Sequence, residues 1–353
     1  MSSTMSTVRN DSSWINVAKA CAIVGVVIQH SRGLLYTDMR INYSTWWTVA
    51  LFIVVGGYNA MSSYENRGYV VMKRRLLGIG IPYVVATILY QIYVCHELNF
   101  YRLCLQLIHF NASGPLYYVA VYLQLVLVTP VLIAIIRYCE TKNITTRYLI
   151  AWVLIIGVCL LVSKKTNVFD IAIGGGRLFA GPWLFFWFAG MFIRQREGSI
   201  RVFIGRVPRI AIYTILLVLW EYFFVIEGHN LDYGPLFRHS GVGMTWANTL
   251  ETFIFFFWFK DLIIYLESKE SAWGQKIIKP FNYLGRHTLH IFLYHILFVS
   301  MLGELMLQGG ALLDNPLSFL GLAFVVLMPV ALEIGMGKAK NAFKEFMAGV
   351  KIG

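Results

Sequence analysis

Charge is what this sequence has least of. Charged residues make up 14% of its 353 positions while apolar residues reach 58%, and an ordinary soluble domain carries roughly 25% charged residues. No long polar segment is present either. That excludes a separate aqueous domain and confines any chemistry to an apolar bundle and its short loops. Cysteine is sparse: Cys21, Cys95, Cys104, Cys139 and Cys159 are scattered, mostly in or beside apolar runs, with no CxxC spacing. They read as small hydrophobes and argue against a disulfide framework or a metal centre. With no internal repeat and no low-complexity tract, the economical organisation is one membrane domain over residues 1–353.

What the chain has in abundance is apolar runs. Ten are long enough, or nearly so, to span a hydrocarbon core about 30 Å thick. They lie at 14–36, 46–64, 76–95, 115–137, 147–163, 178–194, 210–227, 246–266, 283–303 and 317–337. The expected fold class is therefore all-α, a polytopic integral membrane bundle of about ten transmembrane helices. A polar N-terminal tail is expected over 1–13 and a basic C-terminal tail over 338–353. The first run exceeds a signal-peptide core and lacks a small-residue cleavage pattern, so it is expected to be retained. Twenty-one Lys and Arg fall on the segments that share a side with the N-terminus and seven on the other side. The positive-inside rule then places both termini in the cytoplasm of a multi-pass inner or plasma membrane protein. The net charge of +12 is mainly topology. Dispersed over loops, it argues against a nucleic-acid partner and for the lipid bilayer as the first partner.

Polar residues inside the apolar runs are the functional candidates, because an ionisable group at membrane depth is costly unless it faces a polar interior. Lys19 and His30 stand in the first run, eleven positions apart. On a helix they share one face, about 16 Å from each other. Glu221 interrupts the seventh run between Trp220 and Tyr222, and Glu251 lies near the outer start of the eighth. The ninth carries His287, His290 and His295. His287 and His290 fall on one face but His295 lies about 140° from His290, a poor arrangement for three metal ligands on a straight helix, and no metal is expected. Trp46, Trp47 and Trp246 fall near outer interfaces, where a tryptophan belt accounts for them without a sugar-stacking role.

The order of features resembles the membrane-bound acyltransferase type 3 family. The resemblance rests on Lys19 with His30 ahead of Gly33, "LFIVVGGYNAM" in the second run, "KRRLLGIGIPY" from Lys73 to Tyr83, "GPLYYVAVYLQL" in the fourth run, "FFWFAGMFI" in the sixth and "YLGRHTLHIFLYH" from Tyr283 to His295. It covers most of the chain. Such a relationship implies transfer of an acyl group, usually acetyl, from coenzyme A to a hydroxyl on a sugar or envelope glycan. Acetyl-CoA or another acyl-CoA is then the donor substrate, a carbohydrate or glycan the acceptor, and no cofactor is tightly bound. Two positions depart from the family pattern: Lys19 stands where arginine is usual, and Gly78 where the second cation of an Arg-x-x-Arg motif is usual.

Acyl transfer to a hydroxyl needs a base for the hydroxyl proton and donors for the tetrahedral oxyanion. His30 is the candidate base, titrating near working pH, with a covalent acyl-carrier role as the open alternative. Lys19 is a candidate donor-side cation, or else a snorkelling lysine. Lys73, Arg74 and Arg75 are candidates for the donor's phosphates, or an ordinary positive-inside anchor. Glu221 is a candidate to orient His30 or bind an acceptor hydroxyl, the other possibility being a contact between helices. His295 stands where the family often carries a polar residue, which suggests an inward-facing hydrogen-bonding role and makes it a candidate for substrate binding, the other possibility being core packing of a satisfied imidazole. Glu251, and Arg177 beside Gly174–Gly176, are second-rank candidates for substrate binding, and the polar outward loop from Gly228 to Thr245, with Asp232, Arg238 and His239, can meet a glycan. A transporter or polysaccharide-export subunit of the same fold, without acyl transfer, is the alternative function. A passive scaffold fits poorly with Lys19, His30 and Glu221 all at membrane depth.

Overall fold

The computed structural model describes residues 4–68, 70–141, 143–164, 178–199, 204–226, 235–239, 242–269, 272–307 and 318–350. Helix dominates, since in lipid each backbone polar group needs a partner within its own segment. The helices are α1 (Thr4–His30), α2 (Met39–Tyr43), α3 (Trp47–Arg67), α4 (Val70–Cys95), α5 (Phe100–His109), α6 (Tyr117–Cys139) and α7 (Ile144–Lys164). There follow α8 (Leu184–Arg196), α9 (Arg206–Trp220) continued by a π-helical stretch Glu221–Ile226, α10 (Trp246–Ser268), α11 (Ala272–Arg286), α12 (Thr288–Leu307) and α13 (Ser318–Val350). Among the described residues, six segments are long and apolar enough to cross a membrane: Ser13–His30, Val70–Val94, Gly114–Cys139, Arg206–Ile226, Thr288–Met306 and Ser318–Ala339. The outward faces of these segments carry exposed apolar side chains such as Val131, Val218 and Leu320, as a lipid-facing bundle requires. The molecule is a multi-pass membrane protein.

The structure departs from the sequence expectation at four places. The N-terminal tail is helical from Thr4 and the basic C-terminal segment stays helical to Val350; each continues an adjoining helix that is already nucleated, so even poor helix formers such as Thr7, Asn10 and Asp11 add without the cost of a new nucleus. The ninth apolar run is split, α11 ending at Arg286 and α12 starting at Thr288. A two-stranded antiparallel hairpin, β1 (Pro235–His239) with β2 (Val242–Thr245), is added to the all-α expectation. Pairing two short strands satisfies backbone groups in a segment whose Gly234, Pro235, Gly241 and Gly243 disfavour another helix.

α1 runs through the middle of the bundle, touching α3, α10, α11 and α12. Glycines set the tightest packing. A Cβ on Gly57 would lie 2.1 Å from the Trp187 carbonyl oxygen, and one on Gly190 would lie 2.0 Å from that of Val54, so α3 and α8 meet backbone to backbone. This explains the glycines in "LFIVVGGYNAM" and "FFWFAGMFI": small residues let membrane helices approach closely enough for dispersion to hold them. Nearby, the Trp187 indole donates to Thr129 at 3.0 Å, tying α8 to α6.

Candidate active site

The site is built at the end of α1. The last four carbonyls of a helix have no partner within it, and here a woven loop supplies three of the four. Ser31 Oγ donates to Val27 O at 2.8 Å, the Tyr36 hydroxyl donates to Ile28 O at 2.8 Å, and Asn42 Nδ2 donates to Gln29 O at 3.3 Å. The loop can turn back because Gly33 adopts φ of +83°, a conformation that disfavours any side chain. Gln29 in turn donates to Thr45 O and Thr48 Oγ1, joining the end of α1 to the start of α3. The glycine that follows His30 in the motif is thus part of the clamp that holds it.

His30 meets His295. The two rings lie 5.0 Å apart between centroids, and His295 Nε2 is 3.0 Å from His30 Nδ1. His295 is fully buried, and its Nδ1 lies 2.8 Å from Phe292 O and 3.2 Å from Ile291 O. Carbonyl oxygens only accept, so the network assigns the proton of His295 to Nδ1 and leaves its Nε2 as an acceptor. His30 Nδ1 also lies 2.9 Å from Val26 O. Its proton is therefore on Nδ1, shared between Val26 and His295. The neutral ring then carries its lone pair on Nε2, the atom a base needs. His30 itself is only partly buried.

About three turns toward the N-terminal end of α1 lies a cavity of about 290 Å³. Lys19 and Arg75 line it, with Asn59, Thr288 and a wall that includes Phe52, Tyr118, Tyr122 and Phe292. Arg75 Nη2 donates to Asn59 O and Ser63 Oγ, each at 3.0 Å, while its Nη1 is buried without a partner. Neither Lys19 nor Arg75 forms an ion pair with a described carboxylate. Two cations without a described counter-charge share an apolar-walled cavity, an arrangement that an anion would compensate. Phe292 forms part of the wall and its ring sits 6.0 Å from that of His295, so the cavity wall and the histidine pair are adjacent on α12.

The remaining candidates distribute unevenly. Lys73 and Arg74 are exposed, so of the basic triplet Arg75 alone is among the cavity-lining residues. Gly78 is exposed with open space around it. Glu221 opens the π-helical stretch of α9 and is not among the hydrogen-bond partners of His30, the place at that ring being taken by His295. Glu251 is 1% exposed, with Oε1 lacking a partner and Oε2 at 3.5 Å from Asn248 Nδ2. Glu221 and Glu251 lie within electrostatic range of each other. Arg177, Gly174–Gly176 and Asp232 lie outside the described residues. Among the described residues, no group of three or more His, Cys, Asp and Glu can hold a metal ion.

Two polar clusters escaped the sequence reasoning. Glu333 of α13 takes His287 Nδ1 at 2.6 Å and His290 Nδ1 at 3.0 Å on one carboxylate oxygen. Glu197, just past α8, accepts from the Tyr58 hydroxyl at 2.5 Å, from Arg194 at 3.2 Å and from Lys260. Burial pushes the Glu197 carboxyl up, but those three donors outweigh it and hold the group below its ordinary value. The available signal was the same that marked Glu221: Glu333 and Lys260 each interrupt an apolar run.

A family profile described as an acyltransferase domain matches residues 12–333, a span that contains every candidate named above. No curated protein and no solved structure matches the chain.

Proposed function

This chain belongs to the membrane acyltransferase type 3 family, and on that premise we propose that it moves an acetyl group from acetyl-CoA to a hydroxyl of a sugar or envelope glycan. The chain is an acyltransferase of groups other than aminoacyl groups, in a multi-pass membrane bundle. In the proposed arrangement ten helices span an inner or plasma membrane, both termini face the cytoplasm, and the donor enters from that side.

His30 Nε2 takes the proton of the acceptor hydroxyl as its oxygen attacks the thioester carbonyl. The tetrahedral oxyanion collapses, the C–S bond breaks, and the imidazolium returns the proton to the departing thiolate. His295 is a positioning residue in this scheme. By accepting from Nδ1–H it keeps the lone pair of His30 on Nε2. Lys19 and Arg75 bind the donor's phosphates, about 16 Å from His30 along α1 in the case of Lys19, a gap for the long thioester arm to bridge. Glu251, with its unpartnered oxygen, and Glu221 within electrostatic range of it are the acceptor-side groups, and Arg177 joins them on sequence position alone.

The observation that carries this proposal is the bare Nε2 of a histidine whose other nitrogen is tied to Val26 and His295. The test is acyl-CoA turnover by detergent-purified protein with and without candidate glycans. His30→Ala is expected to lower transfer by about 10²–10⁴-fold. Unchanged transfer would remove His30 from the mechanism, and glycan flux without acyl transfer would support an export subunit instead.

A further inference from the structure

α11 has no part in the reaction proposed above, yet it is built with three distinct faces. Taking Lys276 as origin and about 100° per residue, Ile278, Asn282 and Gly285 fall at about 180–240°, Ile277 and Phe281 at about 100–140°, and Lys279, Tyr283 and Arg286 at about 280–340°. The first face is occupied. Asn16 Nδ2 donates to Asn282 Oδ1 at 2.8 Å, Ile278 is buried, and a Cβ on Gly285 would sit 2.0 Å from the Asn16 carbonyl oxygen. α11 therefore lies directly on α1, close to the N-terminal boundary of the span Ser13–His30. The second face is apolar and open, Ile277 being 39% and Phe281 38% exposed. On the third, Lys276, Lys279 and Arg286 are exposed and none pairs with a described carboxylate.

We propose that α11 lies in the plane of the membrane surface and binds anionic lipid headgroups of the leaflet at the N-terminal end of α1. Ile277 and Phe281 enter the acyl boundary, and the basic face takes the phosphates. The depth is set by the Asn16 contact, which puts α11 where the hydrocarbon of α1's span begins. Charge selects the occupant: a cationic face beside a membrane-facing apolar one matches an anionic headgroup and repels a cationic one. The inference rests on the proposed topology only for naming that leaflet cytoplasmic. It is independent of acyl transfer.

The full chain, reconstituted in nanodiscs of phosphatidylcholine or of phosphatidylcholine with phosphatidylglycerol, is followed by hydrogen exchange over residues 272–286. Protection is expected to rise with phosphatidylglycerol and to fall as salt is raised. Each basic residue near an anionic surface is worth about fivefold in preference, so K276Q/K279Q/R286Q is expected to reduce the phosphatidylglycerol preference tenfold or more, while Phe281→Ala lowers protection in both lipids. Equal protection in the two lipids, or an equal gain from inorganic phosphate added to detergent-solubilised protein, would overturn the proposal. Absence of acyl transfer by the native chain with the lipid dependence intact would instead count against the proposed function alone.

Discussion

A histidine acts as a base only if one ring nitrogen is committed to holding a proton and the other is left bare, and His30 meets that condition through its neighbours. His295→Phe removes one of the two acceptors of Nδ1–H and leaves Val26 O alone to hold the ring. Transfer kcat is expected to fall by up to about 100-fold with KM values unchanged, and His295→Gln, whose side-chain oxygen can accept the same proton, is expected to recover much of the loss. Equal damage from both substitutions would reduce His295 to a packing residue. About three turns back along α1, Lys19→Met is expected to raise the donor KM about tenfold, a charge-assisted contact having been lost. Lys73→Met, exposed on α4, is expected to change it less than twofold; the reverse order of effects would place the donor outside the cavity. The sequence marked Lys19 and His30 by spacing alone. It had no means of marking the His30–His295 contact, which joins residues 265 positions apart.

Elements meet where glycine allows it. Gly57→Leu would drive a side chain into the Trp187 backbone, which cannot yield as a flexible side-chain tip can. A loss of about 1–3 kcal/mol is expected, read as a lower Tm in detergent. Gly78→Ala, at a helix position with nothing within 4 Å, is expected to gain about 0.5–1 kcal/mol from reduced backbone entropy. If the two substitutions behave alike, the close approach of α3 and α8 is not what the glycine serves. Helix existence was legible in apolar runs, and so, to within several residues, were the boundaries of the six segments long and apolar enough to cross a membrane among the described residues. The π-helical stretch at Glu221, the hairpin and the separate α11 were not, because each depends on what neighbouring elements leave unsatisfied rather than on local apolar content.

Across the whole molecule, Glu197 ties three helices together through Tyr58 of α3, Arg194 of α8 and Lys260 of α10. Its folded-state value lies below the ordinary 4.5, so its contribution is fully present above about pH 4.5 and is lost as pH falls through the depressed value. Melting curves from pH 7 to pH 3 are expected to show this loss in the native chain. Glu197→Gln is expected to melt lower at pH 7, by about 1–2 kcal/mol given that the carboxylate is a third exposed, and to decline less steeply with acid; parallel curves would refute the assignment. The sequence by itself determined that this is a polytopic helical membrane protein, because apolar run length and scarcity of charge follow from the thickness and dielectric of a bilayer. It also set the motif order that identifies the family. Tertiary structure alone decided which polar groups meet. It paired His30 with His295, separated Arg75 from Lys73 and Arg74, and gave Glu333 to two histidines. The physical reason is that hydrogen bonds act over about 3 Å, and only packing, fixed here by glycines and capped helix ends, brings distant residues within that range.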